Sequence, residues 1–111
     1  MESEIPYLEC DARLNAIGDV IDLIGTCTYE RRAGLLIEED CLPPAFFDLR
    51  SGFAGEMLQK LQNYSVRAAI VVADPASHGE RFAELASESR RNPLLRFWTE
   101  RAAAERWLSG S

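Results

Sequence analysis

The stretch VRAAIVVAD, residues Val66 to Asp74, decides the fold. It is apolar at odd and even positions alike. A half-buried strand alternates apolar with polar residues, so an unbroken run of this length marks a strand covered on both faces. Such a strand is expected at the centre of a sheet with helices on either side.

Working outward, three further short apolar runs share the chain with four helical patterns. Ile5 to Cys10 (IPYLEC) is expected as a short strand at a sheet edge, because Pro6 cannot donate to a ladder. Ala33 to Asp40 (AGLLIEED) and Asn92 to Trp98 (NPLLRFW) are the other strands, and Arg96 between Leu95 and Phe97 points to a second edge. From Leu14 to Thr28, Ile17, Val20, Ile21 and Ile24 make one helical stripe. Pro43 and Pro44 suit the first turn of a short helix through Phe47.

Ser51 is then placed to cap a longer helix ending near Asn63, with Phe53, Met57, Leu61 and Tyr64 inward. Ser77 and Glu80 have capping-box spacing ahead of Phe82, Leu85 and Ala86. Thr99 is the expected cap of a last helix that turns Ala103, Ala104, Trp107 and Leu108 inward. Strand and helix therefore alternate, which implies a single small α/β domain over residues 1–111. Its sheet is mostly parallel or mixed and four-stranded, its crossovers right-handed, and its last three residues loose.

The totals agree. A chain of 111 residues, 47% apolar and 27% charged, has the composition of one globular domain. It buries roughly two thirds of the surface its unfolded form exposes. A net charge of −6 argues against nucleic acid, which needs a positive face to displace counterions from phosphates. No apolar run approaches the ~20 residues needed to cross a bilayer, and no leader pattern precedes the first strand. A cytoplasmic location, away from membranes, is the expectation. Cys10, Cys27 and Cys41 are odd in number, widely spaced and without a C-x-x-C pair, so they read as reduced core residues.

The run FFDLRSGFAGEMLQKLQNY, Phe46 to Tyr64, resembles the signature of a bacterial family catalogued as domain of unknown function 4180. The matching positions are Phe46, Phe47, Asp48, Leu49, Ser51, Gly52, Ala54, Gly55, Glu56, Leu58, Gln59, Lys60, Asn63 and Tyr64, followed by Asp74. DVIDLIG (Asp19 to Gly25) and ESRRNPLLRFW (Glu88 to Trp98) extend the likeness. Ala73 stands where the family usually has glycine, and Arg90 where it often has asparagine. The overall pattern is similar to STAS and SpoIIAA-like domains. That likeness implies a non-enzymatic interaction or regulatory module, with a protein partner or a second copy and no cofactor.

The residues themselves leave several sites to weigh. Ser51 is an ordinary helix cap or, at a helix start, a phosphoacceptor. Glu56 and Lys60 have the spacing of a solvated helix pair, with a general acid/base pair as the functional alternative, and Gln59 beside them reads as a surface amide ahead of a ligand contact. Asp48 and Arg50 pair or orient their loop. Asp74 ends the central strand, where open α/β sheets place ligands. A ligand or catalytic site near Asp48 and Asp74 is thus the alternative to the interaction module. His78, the sole histidine, is expected to be exposed. No G-x-S-x-G, G-x-G-x-x-G or Walker motif and no metal-ligand spacing occurs, so no catalytic or metal set is assigned and an enzyme is the less favoured reading.

Overall fold

The computed structural model describes residues 6–110. Its centre is the strand expected there. β3 (Arg67–Val71) pairs in parallel with β2 (Gly34–Glu38) on one side and β4 (Leu95–Trp98) on the other. β1 (Tyr7–Glu9) completes the sheet beside β2, so the order is β1-β2-β3-β4 and every pairing is parallel. Both ends of the sheet are the strands read as edges. The expected start of the first strand at Ile5 lies outside the described residues.

Sequential order has a consequence for the helices. Each right-handed crossover to the next strand along puts its helix on the same face. α1 (Ile17–Tyr29), α3 (Phe53–Tyr64) and α4 (Glu80–Glu88) accordingly share one core with Leu35, Ile37, Ala68, Ile70 and Val72. α5 (Arg101–Ser109) follows the last strand and covers the opposite face alone, packing Ala104 and Leu108 on Leu36, Ala69 and Val71. Alternate residues of β3 thus enter two different cores, which is why the whole run is apolar. α5 packs close over Gly34, since a Cβ there would lie 2.8 Å from Leu108 Cδ2 and 2.8 Å from the Arg67 carbonyl oxygen.

Local chemistry moves several helix starts from their expected places. α1 begins at Ile17, not Leu14, because the Asp19 carboxylate accepts the Asn15 and Ala16 amides at 2.9 and 3.1 Å. Ser51 closes a 3-10 turn (Leu49–Ser51) behind the short helix α2 (Pro44–Phe47). The N-cap of α3 is Gly52, at φ 80°, while the Ser51 hydroxyl accepts from the Phe53 amide and donates to the Ala45 carbonyl. The capping box at Ser77 does not form. Ser77 belongs to a 3-10 turn (Pro75–His78) and its hydroxyl turns back to the Asp74 carbonyl at 2.7 Å. Gly79, at φ 105°, starts α4 with no side-chain cap. Glu100, not Thr99, precedes α5.

Three burial expectations also shift. Tyr64 is 55% exposed, because α3 ends there and the chain reverses through Ser65 at φ 54°. Phe53 is half-buried, and Phe46 from α2 takes the centre of the aromatic core, fully enclosed among Phe47, Phe53, Phe82 and Phe97. Cys41 is half-buried while Cys10 and Cys27 are in the core. At the other end, α5 runs to Ser109 and Gly110 caps it through its amide, and Ser111 lies outside the described residues. No helix among the described residues is long and apolar enough to cross a membrane.

Candidate functional site

A sheet in sequential order lacks the reversal that opens a ligand crevice in doubly wound folds. The concave surface at the carboxyl ends of the strands is built by loops instead. β2 leaves the sheet into a long connection, Glu39 to Gly52, made of a 3-10 turn (Glu39–Cys41), α2 and a second 3-10 turn. β3 leaves into the shorter loop that ends at Gly79. The two connections meet through His78.

The imidazole of His78 stacks on Phe47 with ring centroids 3.8 Å apart, and Phe82 meets it edge-on at 5.5 Å. Its Nε2 lies 2.6 Å from Glu39 Oε2. These contacts fix the ring, and Nδ1 makes no hydrogen bond among the described residues. Far from being exposed, His78 keeps only 21% of its side-chain surface. It was read as a surface residue because the capping box was expected beside it, and that box does not form.

His78 and Phe47 form the partition between two clefts. The larger, about 560 Å³, is bounded by Asp48, Arg50, Arg81 and the uncapped first turn of α4. The smaller, about 390 Å³, lies toward Arg13, Glu39, Asp40 and Pro44. Arg50 Nε sits 3.4 Å from Asp48 Oδ1, and Asp48 also accepts the Arg50 amide at 3.1 Å. Arg13 and Arg81 make no ion pair among the described residues. Neither cleft is lined by a serine, threonine, cysteine or lysine. No group of three metal-ligating side chains occurs among the described residues.

The remaining residues singled out in the sequence scatter. Asp48 and Arg50 meet at the larger cleft. Asp74 lies three residues beyond the end of β3, exposed, on a separate cleft of about 340 Å³ with Arg90, Trp98 and Thr99. Asp48 and Asp74 therefore do not converge. Ser51 spends its hydroxyl on the backbone, as above. Gln59 donates to Asn63 Oδ1 at 3.1 Å on the outer face of α3, and Glu56 and Lys60 make no ion pair with each other. Glu39 was missed in the sequence. From sequence it falls inside the second strand, Ala33 to Asp40, whereas β2 ends at Glu38 and Glu39 opens the 3-10 turn.

The segment after α4, Ser89 to Asn92, has a structural task. Ser89 donates to the Ala86 carbonyl at 2.7 Å and accepts the Phe97 amide at 3.3 Å, while Asn92 Oδ1 accepts the Leu94 and Leu95 amides. Side chains thereby occupy amides of β4 that an edge strand would otherwise leave open.

A family model described as a domain of unknown function (DUF4180) matches residues 3–108. No curated protein and no solved structure matches the chain.

Proposed function

The chain belongs to this family of domains of unknown function, and from that premise we propose that it binds a small anionic ligand at the carboxyl edge of its sheet. The observation that supports this reading is His78, held between Phe47 and Glu39 on the wall shared by two clefts, with Nδ1 unspent. An imidazole oriented from one side offers a directed hydrogen bond on the other. Arg50 is paired with Asp48, and Glu80 also lines the larger cleft. Arg81, which makes no ion pair among the described residues, is therefore the cation that faces a ligand, and the amides at an uncapped helix start favour an anion. Binding rather than turnover is proposed, since no serine, threonine, cysteine or lysine lines either cleft.

The test is a thermal-shift panel of phosphate, carboxylates and nucleotides, followed by amide NMR shifts with the best compound. Shifts centred on Gly79 to Phe82, reduced in Arg81→Gln and His78→Gln, are expected. If no compound raises the midpoint at millimolar concentration, or the shifts fall elsewhere, the reading fails.

A second reading, the interaction module implied by the STAS-like sequence pattern, is favoured by one observation. Tyr29 and Tyr64 are 89% and 55% exposed and end the neighbouring helices α1 and α3. These helices lead into the parallel strands β2 and β3, so both rings stand at the same end of the molecule. Tyrosine is enriched at interfaces. Sedimentation of the wild type against Tyr29→Ser/Tyr64→Ser should show self-association that the double variant loses. Monomers for both would end this reading.

A further inference from the structure

Two of the three cysteines are neighbours. Cys10 extends the ladder just past β1, its amide donating to the Leu36 carbonyl at 2.9 Å. Cys41 closes the 3-10 turn just past β2. Because β1 and β2 are parallel neighbours, both residues arrive at the same edge of the sheet. The Cys41 thiol donates to the Cys10 carbonyl at 3.3 Å, while the Cys10 thiol turns to the Ala12 carbonyl at 3.1 Å. The Cys41 carbonyl also accepts the Leu14 amide at 2.7 Å, so the turn clamps both ends of the segment that leaves β1. A disulfide needs Cα atoms about 4.4–6.8 Å apart, the spacing of adjacent backbone segments. Cys27, buried in α1, turns its thiol to the Arg32 carbonyl at 3.7 Å.

We propose that Cys10 and Cys41 form a thiol–disulfide exchange site that reacts with small disulfides of the glutathione class. The half-buried Cys41 is the entering nucleophile. Its thiolate attacks one sulfur of the small disulfide, forming a mixed disulfide and expelling one small thiolate. Cys10, 5% exposed, then gives its proton to solvent and attacks the Cys41 sulfur, expelling the second. Two protein thiols are oxidised and one small disulfide is reduced to two thiols. Burial pushes the Cys10 thiol up to about 12, which keeps it from reacting first. The new bond ties the turn that carries Glu39 to the end of β1. This inference stands apart from the ligand reading, since neither thiol lines the clefts beside His78.

The full native chain is incubated with oxidised glutathione, with circular dichroism confirming the fold, then alkylated and mapped by mass spectrometry. The expected result is loss of two hydrogens and a linked Cys10–Cys41 peptide, unchanged in Cys27→Ser. Cys10→Ser should stop at a glutathione adduct on Cys41, and Cys41→Ser should give no link. Should Cys10→Ser fail to fold, the wild-type and Cys27→Ser maps still decide. A wild type that stops at the adduct, links through Cys27, or keeps all its thiols overturns the proposal.

Discussion

The imidazole of His78 lies flat on the ring of Phe47, with planes 11° apart. The first residue comes from the loop after β3 and the second from α2, so the stack joins two connections that share no strand. Phe47→Leu keeps apolar volume and removes the ring. Loss of the ring-current shift on the His78 protons is expected, with a stability cost of about 0.5–1.5 kcal/mol from the aromatic pair. His78 protons that are unshifted in the wild type would show that the stack does not form.

Gly34 leaves room for α5. Gly34→Ala sets a methyl against Leu108 and against the Arg67 carbonyl, and backbone on a central strand does not yield easily. A loss of about 1–3 kcal/mol in chemical denaturation is expected, as for overpacking elsewhere. Trp107 fluorescence should report displacement of α5. An unchanged denaturation midpoint would contradict so close an approach.

Ser89→Ala removes the acceptor of the Phe97 amide while leaving its own backbone in place. Hydrogen exchange at Phe97 should quicken, and stability should fall by about 1–3 kcal/mol, the cost of leaving a polar group unpartnered. Exchange at β3 amides serves as the control, and equal acceleration there would mean global loosening rather than an opened edge.

Arg101 ties α5 to the first two strands, reaching Glu9 at 2.7 Å, Glu38 at 3.2 Å and Glu105 at 3.0 Å. Its hydrogen bonds hold the Glu9 carboxyl below the usual 4.5, and those of Tyr7 and Arg101 do the same for Glu105. Carboxyls depressed in the folded state stabilise it above their unfolded value, and that stability drains away as pH falls below about 4.5 through the depressed values. The hydrogen bond to Glu105 raises Tyr7 above 10.0, so its contribution is complete below that pH and lost as pH rises beyond it. Thermal midpoints across pH should therefore fall at both limits, and Arg101→Met should flatten the acid limb. An acid limb identical in the two proteins would remove the network from the account.

Much of the architecture was legible because it follows from short-range pattern. β3 was found from its two-sided apolar run, and the edge strands from Pro6 and Arg96. Caps were less legible. Ser51 and Ser77 each had suitable chemistry at a suitable spacing, yet their hydroxyls donate to backbone carbonyls and glycines at positive φ, Gly52 and Gly79, took the cap positions. Capping choices turn on about a kilocalorie, and tertiary contacts of similar size redirect them.

Alternation of strand and helix, carried by periodicity alone, determined the α/β class and the central place of residues 66–74, while the identities of the residues from Phe46 to Tyr64 carried the family resemblance. The tertiary structure alone decided that Asp48 and Asp74 part company, that His78 meets Phe47 and Glu39, and that Cys10 meets Cys41. Periodicity reports which face a residue turns inward, a local property of the backbone. Which two loops touch depends on strand order and on the path of each connection, and residues some thirty positions apart carry no mark of each other in the chain.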